Sequence, residues 1–258
     1  IMEKKYNPIA VLDSGVGGIS VLKELVKTLP EENFIFFGDE KNAPYGTKKK
    51  EEVKKIVFEN ADFLFNKKHA KALVIACNTA TGAAVAPLRE KYPEIPIIGI
   101  EPEIKTAALQ KENPKVLVMA TPLTLKQEKF LRLEGKYNDI ADFTLLPCPG
   151  LMELIEEGHT GDETLSEYLK NLFSSLGKSD FDAIVLGCTH YPHAAEAIAK
   201  FFPETPIYDG CRGTAMQTAR RLGEEKLLKT DGKKGEIEFI TTAENEKFET
   251  LCKKLLGI

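Results

Sequence analysis

The stretch Ala72-Leu-Val-Ile-Ala-Cys-Asn-Thr-Ala-Thr81 decides how the chain is read. Its unbroken apolar run is too short for a helix and suits a strand buried on both faces of a sheet. The run stops at Cys77, and Asn78 and Thr79 behind it are polar residues of the kind that open a helix. Asp182-Ala-Ile-Val-Leu-Gly-Cys-Thr-His-Tyr191 repeats the plan, its apolar run ending at Cys188, 111 positions after Cys77. Strand, cysteine, hydrogen-bonding residues and helix thus occur twice, which points to two related α/β domains contributing one cysteine each.

Outward from these runs, strands are predicted over 8–13, 33–38, 97–100, 115–120, 143–146, 206–209 and 237–241. Apolar residues at helical spacing predict helices over 19–29, 53–64, 79–92, 104–111, 125–133, 151–157, 164–176, 194–202, 214–228 and 245–256. Pro87 predicts a kink or a helix start inside the third of these. Short strands alternating with longer helices indicate βαβ units and largely parallel sheets. Ligand sites of such sheets gather at the carboxyl ends of the strands, where Asp13, Cys77 and Cys188 fall.

Composition narrows the classes of function. The chain has 258 residues, 43% hydrophobic and 29% charged, with a formal net charge of −4, as expected for a globular protein with ample core material. Basic runs are limited to Lys48-Lys49-Lys50 and Lys233-Lys234, so no nucleic acid partner is expected. No apolar run approaches the roughly 20 residues that cross a bilayer, so no membrane association is expected and the compartment is read as cytoplasmic. There the five cysteines are expected to be reduced thiols. Neither Cys-x-x-Cys nor His-x-x-x-His occurs, which argues against a metal site.

Asp13-Ser-Gly-Val-Gly-Gly18 follows a strand and opens a helix, but its glycines lack the Gly-x-Gly-x-x-Gly spacing and no Walker lysine follows. The better reading is a helix N-terminus that holds a small carboxylate, with Asp13 facing a cationic group. For Cys77 and Cys188 the plain alternative is a small buried hydrophobe. Their placement beside Asn78-Thr79 and Thr189-His190 favours chemistry, because a helix N-terminus lowers a thiol pKa from about 8.5 towards neutrality. His190 reads as an orienting group or base, or else as a satisfied structural histidine. Cys148, Cys211 and Cys252 lack the pattern and read as structural. Pro44-Tyr45-Gly46 lies in a polar loop able to offer backbone N–H groups and a phenol to a ligand, or to be an ordinary turn. Glu156 alone reads as an exposed charge at a helix end.

Taken together, Asp13-Ser-Gly-Val-Gly-Gly18, Gly38-Asp39 with Pro44-Tyr-Gly46, Ala76-Cys-Asn-Thr-Ala80 and Gly187-Cys-Thr-His-Tyr-Pro192 resemble the glutamate racemase family, in order and over almost the whole chain. The two cysteine motifs belong to the wider aspartate/glutamate racemase superfamily, and the other two narrow the likeness to its glutamate branch. Residues 120–127 and 209–212 depart from the usual pattern. The resemblance implies two pseudo-symmetric, Rossmann-like three-layer α/β domains with the active site in the cleft between them, one of residues 1–98 plus 208–258 and one of 99–207. It implies Cys77 and Cys188 as the acid/base pair, supported by Asp13, His190 and Glu156. Substrate contacts would come from Asp13, Ser14, Pro44, Tyr45, Gly46, Asn78, Thr79, Thr189 and His190. The family needs no cofactor, usually forms homodimers and supplies D-glutamate for bacterial peptidoglycan.

Physical chemistry is compatible with that expectation. Inverting a stereocentre by proton exchange requires a base on each face of the α-carbon, each about 3–3.5 Å away, so the two sulfurs would stand roughly 7 Å apart. One must be a thiolate while the other is a thiol. No motif argues for a Schiff-base lysine, so the carbanion would depend on donors around the α-carboxylate, for which Ser14, Asn78, Thr79 and Thr189 are candidates. The rivals are the same chemistry on aspartate or another substrate, a non-catalytic carboxylate- or nucleotide-binding module with structural cysteines, and a redox pair.

Overall fold

The computed structural model describes residues 4–177 and 180–258. Its strands are β1 (Ile9–Asp13), β2 (Phe34–Gly38), β3 (Ala72–Ile75), β4 (Ile97–Gly99), β5 (Lys115–Ala120), β6 (Asp142–Pro147), β7 (Ala183–Leu186), β8 (Ile207–Asp209) and β9 (Ile237–Thr241). Between and after them run α1 (Ile19–Thr28), α2 (Lys50–Asn66), α3 (Asn78–Lys91), α4 (Ile104–Leu109), α5 (Pro122–Lys126), α6 (Glu128–Gly135), α7 (Leu151–Glu156), α8 (Glu163–Ser174), α9 (Ala195–Ala199), α10 (Cys211–Glu224) and α11 (Phe248–Leu256). The chain divides into two compact units, one reaching to Glu101 and resuming at Cys211–Ile258, the other Pro102–Gly210.

Each unit is a parallel sheet covered on both faces, and the period-2 alternation of its strands shows why. In the first unit Ile9, Val11, Phe34, Phe36, Ala72 and Val74 pack with α1, α10 and α11. Their neighbours Ala10, Leu12, Ile35, Phe37, Leu73 and Ile75 face the other way, against α2 and α3. In the second unit Leu117, Met119, Ile184 and Leu186 meet α7, α8 and α9, while Val116, Val118, Ala183 and Val185 meet α4 and α6. Burial on both faces requires uninterrupted apolar runs, and those runs are what made the strands visible in the sequence.

The first sheet has the order β4-β3-β1-β2-β9 and the second β6-β5-β7-β8. Read from its other edge, the second is β8-β7-β5-β6, which matches β4-β3-β1-β2 strand for strand. Strand β9 is an addition to the first sheet from the C-terminal part of the chain, paired to β2. In both sheets the winding reverses between the first and third strands, the crevice where such folds place ligands. The backbone repeats there too: Ala76 N–H donates to Leu12 O at 2.8 Å, and Gly187 N–H to Met119 O at 2.7 Å, each one residue before a cysteine.

Several boundaries differ from the sequence reading. Tyr208 and Asp209 register with Val185 and Leu186, so residues 208–210 sit with the second unit and not with the returning tail. Pro87 lies inside α3 and neither starts nor ends it. The expected helix over 125–133 is two pieces, because Gln127 is extended at ψ 136° and separates α5 from α6. Residues 194–202 are a 3-10 turn, Tyr191–Ala194, followed by the short α9. The last helix starts at Phe248, because Asn245 Oδ1 accepts the Lys247 N–H at 3.1 Å and holds a turn ahead of it.

Candidate active site

In the first unit Cys77 stands just past β3 and is the N-cap of α3, its sulfur accepting the Ala80 N–H at 3.5 Å. The sulfur lies 4.0 Å from Ser14 Oγ and the residue is 7% exposed. At that end the helix dipole favours a negative charge on sulfur. Asn78 and Thr79 form the first turn of α3, both buried. Asn78 Oδ1 has no hydrogen-bond partner among the described residues. A buried orphan acceptor costs about 1–3 kcal/mol, and a ligand ammonium would satisfy it.

Asp13, at the end of β1, is fully buried. Its Oδ2 accepts the Gly18 N–H at 2.5 Å, so the carboxylate at the start of α1 belongs to the protein itself. That differs from the sequence reading, in which the turn held a ligand carboxylate and Asp13 a cation. Only glycine fits at 18, because a Cβ there would stand 2.8 Å from Asp13 Cβ and 2.9 Å from Ala76 Cβ.

The loop carrying Pro44, Tyr45 and Gly46 is built around Asp39, a residue the sequence reading did not single out as functional. Asp39 is wholly buried and its carboxylate accepts from Tyr45 OH at 2.6 Å, Thr242 Oγ1 at 2.6 Å, Asn60 Nδ2 at 3.0 Å and Asn42 Nδ2 at 3.0 Å. Burial pushes the Tyr45 phenol pKa up and Asp39 adds to the rise, so it remains a neutral donor. The phenol is therefore committed to Asp39, and what the loop can offer a ligand is backbone near Gly46. The available signal was local: an aspartate ending a buried strand ahead of a polar loop.

In the second unit Cys188 follows β7 and is 8% exposed. It does not open an α-helix; the 3-10 turn comes next, with Tyr191 N–H donating to Cys188 O at 3.1 Å. His190 stands where the first unit has the helix end. His190, buried at 1% exposure, sets Nδ1 3.8 Å from the Cys188 sulfur and Nε2 2.9 Å from Glu156 Oε1. Burial alone would lower the imidazole pKa, but the Cys188 and Glu156 partners outweigh it and hold His190 well above its ordinary value. Glu156 ends α7, and its pairing with His190 makes it more than the exposed helix-end charge its sequence context suggested. Thr189 is also buried.

The other cysteines sit in cores. The Cys148 thiol is pushed up to about 12, by burial first and by the nearby Cys188 second. Cys252 is raised by burial too, and the Cys211 sulfur lies 3.4 Å from Ser20 Oγ. Among the described residues no three His, Cys, Asp or Glu side chains form a metal-binding group, and no helix is long and apolar enough to cross a membrane.

The model of the Asp/Glu/Hydantoin racemase family matches residues 9–218. A glutamate racemase of Clostridium acetobutylicum is 49% identical over 257 residues, covering 100% of both chains. One of Clostridium botulinum strain Alaska E43 is 48% identical over 256 residues, covering 99% of each. Among solved structures, the glutamate racemase of Francisella tularensis in complex with D-glutamate superposes with a TM-score of 0.85 at 32% identity, covering 98% of this chain and 95% of that one.

Proposed function

Because the chain belongs to the Asp/Glu/hydantoin racemase family, we propose that it interconverts L- and D-glutamate by passing the α-proton between Cys77 and Cys188. The observation that carries this reading is the repeated placement of the two cysteines. Each follows the equivalent strand of a sheet with the same order, in contact with a polar group of its own unit. At Cys77 that group is the start of α3, and at Cys188 it is His190, itself paired with Glu156.

In one direction the thiolate takes the α-proton, breaking C–H and forming S–H, and leaves a carbanion. The opposite thiol then protonates the other face and becomes the thiolate. The reverse reaction exchanges the roles, so the two cysteines finish each turnover with their protonation states swapped. No covalent intermediate is required. Asn78 Oδ1, without a partner of its own, is suited to the substrate ammonium. Ser14, Thr79 and Thr189 are suited to the α-carboxylate, where donors that strengthen as charge develops lower the barrier. Asp13 holds the Gly18 turn beside this group, and Pro44, Tyr45 and Gly46 supply the loop. The reading extends to cytoplasmic supply of D-glutamate for peptidoglycan and to a homodimer, whose mass in solution tests the latter.

A chiral assay on glutamate and on aspartate, run in deuterium oxide, tests the reaction. Glutamate should racemise and gain deuterium at the α-carbon. Replacing Cys77 or Cys188 with Ser should slow turnover by about 10²–10⁴-fold, the usual worth of a positioned acid or base. Turnover of aspartate alone would reassign the substrate, and full activity in both serine variants would remove the two-base mechanism.

A further inference from the structure

A cavity of about 280 Å³ opens on the first unit, lined among others by Arg89, Tyr92, Ile95, Ile97, Gln217 and Arg221. It lies away from Cys77: Arg89 is near the end of α3 whose N-cap is Cys77, twelve residues and so about 18 Å along the helix. Arg89 Nε donates to Ile97 O at 2.9 Å, on the edge strand β4, which fixes the guanidinium in place. Glu101 is the one acidic side chain among the described residues that acts on the Arg89 charge, and Arg221 acts on it more strongly with the opposite sign. Burial lowers the Arg89 pKa, and the positive charge of Arg221 lowers it further. Arg221 reaches Glu224 at 3.9 Å on its own helix and Glu225, just past its end, at 2.8 Å. That use leaves part of its five-donor fork for the cavity. Gln217 stands one turn earlier on the same face of α10.

Two cations facing one polar cavity repel each other, and an anion between them would turn that repulsion into attraction. We propose that this cavity binds a small oxyanion of the phosphate or phosphate-monoester class, held between the guanidinium groups of Arg89 and Arg221. Planar forks match the oxygens of such a group in pairs, which an ammonium cannot do. The volume falls just below the range of roughly 300–1,000 Å³ typical of pockets for drug-sized ligands, so the site suits an anion of a few heavy atoms and not a nucleotide. Tyr92 adds an aromatic wall, its hydroxyl being engaged with Asp62. Occupancy would tie the end of α3 to α10, and α3 begins at Cys77.

The test is isothermal titration of the full chain with inorganic phosphate and with glycerol 3-phosphate, chloride keeping the ionic strength constant. Saturable binding of one anion per chain is expected, and the tighter of the two shows whether the natural ligand is a free or an esterified phosphate. Arg221→Gln, at an exposed position, should fold normally and weaken binding at least tenfold, and Arg89→Lys should do the same. Arg132→Gln, an equal change of charge in the second unit, should bind like the parent. The proposal is overturned if the parent binds neither anion saturably, if Arg221→Gln binds as tightly as the parent, or if Arg132→Gln loses as much affinity.

Discussion

His190 Nε2 sits 2.9 Å from Glu156 Oε1, although the two residues are 34 positions apart. The carboxylate reaches the buried face of an imidazole whose other nitrogen faces the Cys188 sulfur. His190 thus lies between Glu156 and the Cys188 sulfur, in contact with both.

Replacing Glu156 with Gln keeps an acceptor but removes the charge, so the folded-state pKa of His190 should fall. A pKa raised on folding contributes stability that is complete below the unfolded value, about 6.5, and is lost as pH rises through the folded value. The variant should therefore lose about 1.5–3 kcal/mol at pH 6 and progressively less at alkaline pH. Urea unfolding at pH 6 and pH 9 measures this. Equal losses at both would mean that Glu156 contributes by packing alone.

Tyr45→Phe removes one of the donors that hold Asp39 and releases the loop around Gly46. With Asn42, Asn60 and Thr242 still in place, the loss of stability should be about 0.5–1.5 kcal/mol. Glutamate KM should rise more than kcat falls, because the loop is proposed to bind substrate and not to move the proton. A kcat loss with KM unchanged would contradict that assignment.

Gly18→Ala would place a methyl 2.8 Å from Asp13 Cβ and 2.9 Å from Ala76 Cβ. Neither neighbour can move freely, since Asp13 is bonded to the same turn and Ala76 immediately precedes Cys77. Overpacking of this kind costs about 1–3 kcal/mol. Thermal unfolding should show the loss, and racemisation should fall with it as the Cys77 side of the site is displaced; a variant with parental stability and activity would refute the close packing.

Cys148→Ala separates a core cysteine from the pair proposed to react. Its thiol, pushed up to about 12 by burial, stays protonated throughout the working range. Activity should stay within a few-fold of the parent and stability should drop by about 1 kcal/mol. A loss matching that of Cys188→Ser would mean that Cys148 takes part in the chemistry.

The α/β class, the strand-end cysteines and the motifs around them were legible in the residues alone. Strands buried on both faces must be written as unbroken apolar runs, and a cysteine at the end of such a run is a local feature. What the residues did not disclose is which distant groups meet. Thr242 joins Asp39 across 203 positions because β9 returns to pair with β2. Glu156 becomes the partner of His190 because α7 packs beside the turn that follows β7. Periodicity records which face of an element is buried, not what lies against it. For the same reason the bond from Gly18 N–H to Asp13 could not be read from the sequence around Asp13. The two cysteine runs are thus local features of the sequence, and only the packing around each sheet brings the start of α3 to Cys77 and the His190–Glu156 pair to Cys188.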